Sequence, residues 1–267
     1  MTSLDCCTGY SEKGTPLGIY EKYAGQECYI SKPKNDNLKI AIVLGTDIFG
    51  YRLSNIQLLA DQFAELGYLA IVPDLFDNQA FKAELVDPLI GNGLRLSCSI
   101  FSLISNFFSR LFSALYFFSF IPFFILKHPP ESKILKFVKI FDQLRQDKYK
   151  IGFQGYCYGG TIGMMLSSTH LVNAISCAHP GPFQVKESLE QLKTKTLLIL
   201  VHKDMHIKEI EQSQILDFSK GQPNLEAELF FQHHGFAIRC DTRIEEQKKE
   251  KERAFHLAAA FFRNTIK

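Results

Sequence analysis

Short apolar runs alternate with segments of helical period along the chain. KIAIVLG, Lys39 to Gly45, is an unbroken apolar run closed by glycine, which predicts a buried strand. In the next segment, LSNIQLLADQFAELGY, Ile56, Leu59, Ala60 and Phe63 share one helical face. Ser54 is the expected N-cap of that helix and Gly67 its stop. YLAIVPDLF predicts a second buried strand, broken at Pro73. A helix is expected from Ser132 to about Gln146, a strand at KIGFQ, and a helix after Gly160. AISCA and TLLILVH read as strands, IKEIEQSQILDFS as a helix, EAELFF as a strand, and RIEEQKKEKERAFHLAAAFFRN as a long closing helix. Strands alternating with helices predict an α/β fold, a mostly parallel sheet covered on both faces.

One region departs from this alternation. Ser97 to Leu126 is crowded with Phe, Leu, Ile and Ser, and its one charge is Arg110. Ser99, Ser102, Asn106, Ser109 with Arg110, and Ser113 recur at three- to four-residue steps, a narrow polar stripe on an apolar helix. Three readings stand open: a lid over a site, a membrane-surface segment, or translated intron sequence, since these residue types have thymine-rich codons. A transmembrane span is disfavoured by Arg110 near mid-helix.

Composition narrows the function classes. At 267 residues the chain can form one domain with a sizeable core. The net charge is +2 without a long basic block, so nucleic-acid binding gains no support. Of the seven cysteines, Cys6 and Cys7 are adjacent and the rest lie scattered without a CxxC pair, and no Cys/His set has zinc-ligand spacing. The N-terminal stretch lacks the apolar core of a secretory signal, and the C-terminal TIK is not a peroxisomal address. A reducing, cytoplasmic location with free thiols is the expectation.

The chemistry concentrates at GYCYGG. Cys157 sits between a predicted strand and a predicted helix, with Gly155 two positions before it and Gly159 two after. That is the outline of the G-x-S-x-G turn that exposes the nucleophile of α/β-hydrolases, with cysteine in the serine place. On the glycines alone, a small inert thiol buried at a corner fits equally well. A nucleophile needs a base and an acid later in the chain, in the order nucleophile, acid, histidine. Asp204 follows the strand TLLILVH, and His234 follows the strand EAELFF. Both fall at the C-terminal ends of strands, where open α/β sheets carry their sites. A capping Asp204 and a solvated HHG loop are the bland alternatives.

With these residues in order, the chain resembles the dienelactone hydrolase family, most strongly its fungal and other eukaryotic members. The resemblance is carried by CCTGYSEKGTPLG, DIFGYRLSNIQLLADQFAELGYLAIVPDLF, KHPPE, GFQGYCYGG, CAHPG, HKDMHI and HHGFAIR, in that order. It covers most of the chain and implies one α/β-hydrolase domain over residues 1–267, with residues 89–127 as an atypical apolar insertion. It further implies a cysteine hydrolase of a small lactone or ester, anionic ones included, with a Cys157–Asp204–His234 triad and no metal or organic cofactor. The oxyanion hole would be formed by the N–H groups of Ile48 and Tyr158. Arg239 matches the position where bacterial members bind a substrate carboxylate. Asp47 stands where bacterial members carry a glutamate near the thiol, and it is one methylene shorter. His179, in AHPG, matches a family position without a role, and Asp74 reads as a turn residue. The rival class is a non-catalytic or membrane-associated binding protein on the same scaffold.

Overall fold

The computed structural model describes residues 12, 14–82, 122–202 and 204–267, together with 111, 115, 119 and 120. Among the described residues, eight strands form one sheet in the order β1-β2-β4-β3-β5-β6-β7-β8. These are β1 (Ile19–Tyr23), β2 (Gln26–Ser31), β3 (Ile40–Gly45), β4 (Leu69–Pro73), β5 (Lys150–Tyr156), β6 (Ala174–Ala178), β7 (Thr196–Val201) and β8 (Leu225–Phe230). β1 and β2 run antiparallel to their neighbours, and every pairing from β4 to β8 is parallel. The mostly parallel sheet is the one expected from the alternation of the chain, and its arrangement is the α/β-hydrolase fold that the family resemblance implies.

β1 and β2 form a hairpin that the apolar pattern does not reveal. Four of the five β1 residues are exposed, so no apolar run marks the strand. The turn between them places Ala24 at φ 50° and Gly25 at φ 78°, the doubly positive geometry that suits a two-residue hairpin.

Helices cover both faces: α1 (Ser54–Glu65), α2 (Ile134–Gln146), α3 (Tyr158–Ser167), α4 (Val185–Glu190), α5 (Glu209–Ser219), α6 (Phe236–Arg239) and α7 (Glu245–Thr265). Phe137 and Phe141 of α2 and Ile162 of α3 pack with Val43 and Phe153 on one face. Phe63 of α1 and Phe255 and Phe262 of α7 pack with Ile42 and Leu44 on the other. α1 begins one residue earlier than its sequence suggests. Ser54 is its first helical residue, and Leu53 holds the cap position without a side-chain bond. Gly67, at φ 94°, ends it as expected. Asp74 is the turn residue it was expected to be: its carboxylate accepts from the N–H groups of Phe76 at 2.9 Å and Asn78 at 2.6 Å.

Most of the 89–127 insertion, including its polar stripe, lies outside the described residues. Its last turns, residues 122–127, are helical. Phe124 is buried there, with its ring 4.9 Å from that of Phe76 and 4.8 Å from His128. Among the described residues, no helix is long and apolar enough to cross a membrane.

Strand order reverses about β3, with β4 on one side and β5 on the other. Loops leaving β3 and β5 therefore diverge at this point and frame a crevice at the C-terminal edge of the sheet.

Candidate active site

Cys157 occupies the turn from β5 to α3 at φ 50°, ψ −111°. A side-chain-bearing residue at positive φ is strained by about 1–3 kcal/mol and must be held by its surroundings. Backbone contacts hold it here. The Cys157 N–H donates to the Ala178 carbonyl at 3.3 Å, and its own carbonyl accepts from Gly181 at 2.8 Å and Thr161 at 3.1 Å. The flanking glycines are required by close approach. A Cβ on Gly155 would lie 2.4 Å from the Gly159 carbonyl oxygen, and one on Gly159 would lie 2.1 Å from that of Gly45. β3, β5 and the start of α3 thus meet with no room for a side chain.

The two loops anticipated to carry the acid and the base do converge. His234 Nδ1 lies 2.9 Å from Asp204 Oδ2, with side-chain exposures of only 1% and 2%. The other carboxylate oxygen of Asp204 accepts from the His206 N–H at 2.7 Å, which fixes the acid's rotamer. Burial opposes the His234 charge, but the neighbouring Cys157 and the bond to Asp204 more than offset it and raise its pKa to about 10. Burial works against the Asp204 charge as well. The hydrogen bond and charge of His234 overcome it and hold the carboxyl below its ordinary range. With Nδ1 on Asp204, Nε2 is the imidazole atom left for the Cys157 sulfur.

Two further histidines pack on His234. His179 is wholly buried at φ 37°, with its ring centroid 5.0 Å from that of His234. Burial and the nearby positive charge of His234 push its pKa well down, so it is neutral. His206 meets His234 edge-on at 4.9 Å. Burial and His234 bring its pKa to about 4, against the opposing pull of Asp204.

Ile48 and Tyr158 line the same cavity as Cys157. Tyr158 is the first residue of α3, so its N–H has no acceptor within the helix. The loop carrying Ile48 is tied to the turn by a bond from the Gly159 N–H to the Thr46 carbonyl at 2.9 Å. Asp47 and Arg239 are brought to each other and not to the cavity wall. Arg239 Nε donates to Asp47 Oδ2 at 2.8 Å, the Phe49 N–H donates to Asp47 Oδ1 at 3.0 Å, and the guanidinium lies over the Phe49 ring at 4.6 Å. Neither is among the described residues that line the cavity.

The cavity measures about 850 Å³. Thr161, Met164, Met165 and Ser168 line one side of it, at the spacing of a single helical face. That spacing was present in the sequence, as was His206 two residues after Asp204; neither stands out without the position of Cys157. Among the described residues, no group of His, Cys, Asp and Glu is placed to hold a metal ion.

Residues 27–111 and 123–266 match the profile of the dienelactone hydrolase family. The chain belongs to the dienelactone hydrolase family. Membership makes it a hydrolase acting on ester bonds, and the gap in the match at 112–122 falls inside the apolar insertion. The chain is 27% identical over its whole length to hydrolase tropI of Talaromyces stipitatus, covering 98% of that protein. It is 30% identical to the carboxymethylenebutenolidase homolog of Rattus norvegicus, over 71% of this chain and 65% of the relative. A putative dienelactone hydrolase from Klebsiella pneumoniae has the same fold, with a TM-score of 0.58 and 16% identity over 93% of this chain and 96% of its own. The dienelactone hydrolase of Anabaena variabilis aligns with a TM-score of 0.54 and 16% identity, over 94% and 98% of the two chains.

Proposed function

We propose that the protein is a cysteine hydrolase that opens a small lactone or carboxylic ester through an acyl-enzyme on Cys157. The observation that carries the reading is the buried Asp204–His234 pair, 2.9 Å from Oδ2 to Nδ1, set beside Cys157 in its strained turn between β5 and α3.

In this reading the resting pair is a Cys157 thiolate and a His234 imidazolium. The sulfur attacks the carbonyl carbon, and the carbonyl electron pair moves onto oxygen. The N–H groups of Ile48 and Tyr158 receive that oxyanion, a contribution on the order of 3 kcal/mol per donor. Collapse expels the alkoxide, which takes the proton from His234 Nε2 and leaves a thioester. For a lactone, the freed hydroxyl stays on the acyl chain. His234, now neutral, removes a proton from water. The hydroxide attacks the thioester, the acid departs, and the sulfur leaves as thiolate beside the re-formed imidazolium. Asp204 holds the Nδ1–H tautomer and stabilises the positive imidazole. No step calls on a metal or an organic cofactor.

Asp47 and Arg239 act in this scheme through the loop. Their ion pair braces residues 46–50 and so positions the Ile48 N–H. A substrate carboxylate would reach Arg239 only by displacing Asp47. Free thiols at Cys28, Cys157, Cys177 and Cys240 support a reducing, cytoplasmic setting.

The test is turnover of a panel of lactones and aryl esters by the native protein and by Cys157→Ala and His234→Ala. Loss of rate by about a thousandfold or more in both variants is expected. Native-like rates in Cys157→Ala would overturn the assignment.

A further inference from the structure

The cavity beside Cys157 has an uneven chemical lining. Ile48, Ile125, Met164, Met165, Phe183 and Met205 give it a largely apolar wall. Its described acidic residues are Glu131 and Glu187, both exposed at its edge. Glu131 lies near the Tyr158 phenol, which donates to the His128 carbonyl at 2.8 Å: burial raises the phenol's pKa, and Glu131 raises it further. His206, also in the lining, is neutral near pH 7. No Lys or Arg is among the described residues that line the cavity; Lys127 and Lys186 are exposed in the segments that flank it, and three other cations are held elsewhere. Lys133 Nζ lies 3.2 Å from His128 Nδ1, Lys136 pairs with Asp77 at 2.6 Å, and Arg239 is held by Asp47.

We propose that the cavity selects uncharged, lipophilic esters or lactones over carboxylate-bearing ones, with Glu131 and Glu187 as the discriminating side chains. This rests on the hydrolase reading and specifies its substrate class. An acyl chain gains from leaving water against methionine and phenylalanine side chains. A substrate carboxylate entering the same space gives up hydration and approaches two like charges. Because both glutamates are at the rim, the repulsion also acts on approach, and it weakens as salt shortens the screening length to about 8 Å at physiological ionic strength.

The experiment compares two aryl esters of equal chain length, p-nitrophenyl valerate and the mono-p-nitrophenyl ester of glutaric acid. At low ionic strength the native protein is expected to favour valerate by about tenfold or more in kcat/KM. The double variant Glu131→Gln/Glu187→Gln is expected to narrow that ratio by about threefold or more, and added salt to narrow it in the native protein. A preference for the glutarate ester, or a ratio unchanged by the double variant, would overturn the proposal. Alkylation of Cys157 by iodoacetate and iodoacetamide reads the same charge selection without turnover. The iodoacetate rate relative to iodoacetamide should rise in the double variant, and no rise would contradict the proposal. If neither ester shows Cys157-dependent cleavage, the hydrolase reading fails, and the alkylation ratio still decides whether the glutamates repel anions.

Discussion

Arg239 Nε and Asp47 Oδ2 meet at 2.8 Å, with side-chain exposures of 5% and 2%. They are 192 positions apart in the chain. One follows β3, the other ends the short helix α6 that begins two residues after His234. The pair therefore ties the loop bearing Ile48 to the segment bearing the candidate base. Buried ion pairs add little net stability when intact, but leave a costly charge behind when one partner is removed.

Arg239→Met is accordingly expected to destabilise the fold by about 3–5 kcal/mol, because it strands the Asp47 carboxylate. Adding Asp47→Asn should recover part of that loss. Urea unfolding of the single and double variants reads both values. A loss under about 1 kcal/mol in Arg239→Met would mean that the pair does not brace the loop.

Asp204→Asn is expected to lower kcat by about 10³–10⁴ with a small change in KM, since the amide no longer stabilises the imidazolium. The fold should survive, because the amide oxygen can still accept from the His206 N–H. Steady-state kinetics with circular dichroism tests this. A near-native kcat would remove Asp204 from the mechanism.

The His234 charge gives a pH signature. Its folded pKa is raised from the ordinary 6.5 to about 10, so its contribution to stability is complete below pH 6.5 and is lost as pH rises through about 10. The direction follows from Cys157 and Asp204 favouring the charged ring over the cost of burial. In Cys157→Ala one of those partners is gone, and the imidazole should titrate at lower pH. Histidine ring resonances followed by NMR across pH 5–11 read the shift. An unchanged His234 titration in the variant would show that the sulfur does not hold its proton.

Gly159→Ala probes the turn. A methyl group 2.1 Å from the Gly45 carbonyl oxygen forces β3 and α3 apart. The expected cost is about 3 kcal/mol, the upper end of overpacking losses. Ester turnover should fall by more than the folded fraction does, because the Tyr158 N–H follows the displaced residue. Thermal unfolding and kcat/KM measured together separate the two effects.

The fold was legible where strands are buried on both faces, because parallel central strands read as unbroken apolar runs. Hence β3, β4, β5, β6 and β7 could be read directly from residues such as Ile40 to Gly45 and Thr196 to Val201. The edge hairpin escaped because Tyr20, Glu21 and Lys22 face solvent and leave no run. The four-residue helix α6 is too short for a 3.6-residue period to register. At the site, the turn glycines and the order of Asp204 and His234 mark positions at strand ends, which topology brings together. The neutral histidines were less accessible: the places of His179 and His206 around His234 depend on three loops meeting. The Asp47–Arg239 contact was likewise invisible, since nothing in either local sequence points to the other.

Acyl transfer to Cys157 can be read by intact-protein mass spectrometry after mixing the protein with p-nitrophenyl acetate. The acyl-enzyme reading predicts a burst of one p-nitrophenol per active chain and one acetyl increment, mapped by digestion to Cys157 and absent from Cys157→Ala. Ester turnover by Cys157→Ala at the native rate, or a native burst whose acetyl group maps to another residue, would contradict it.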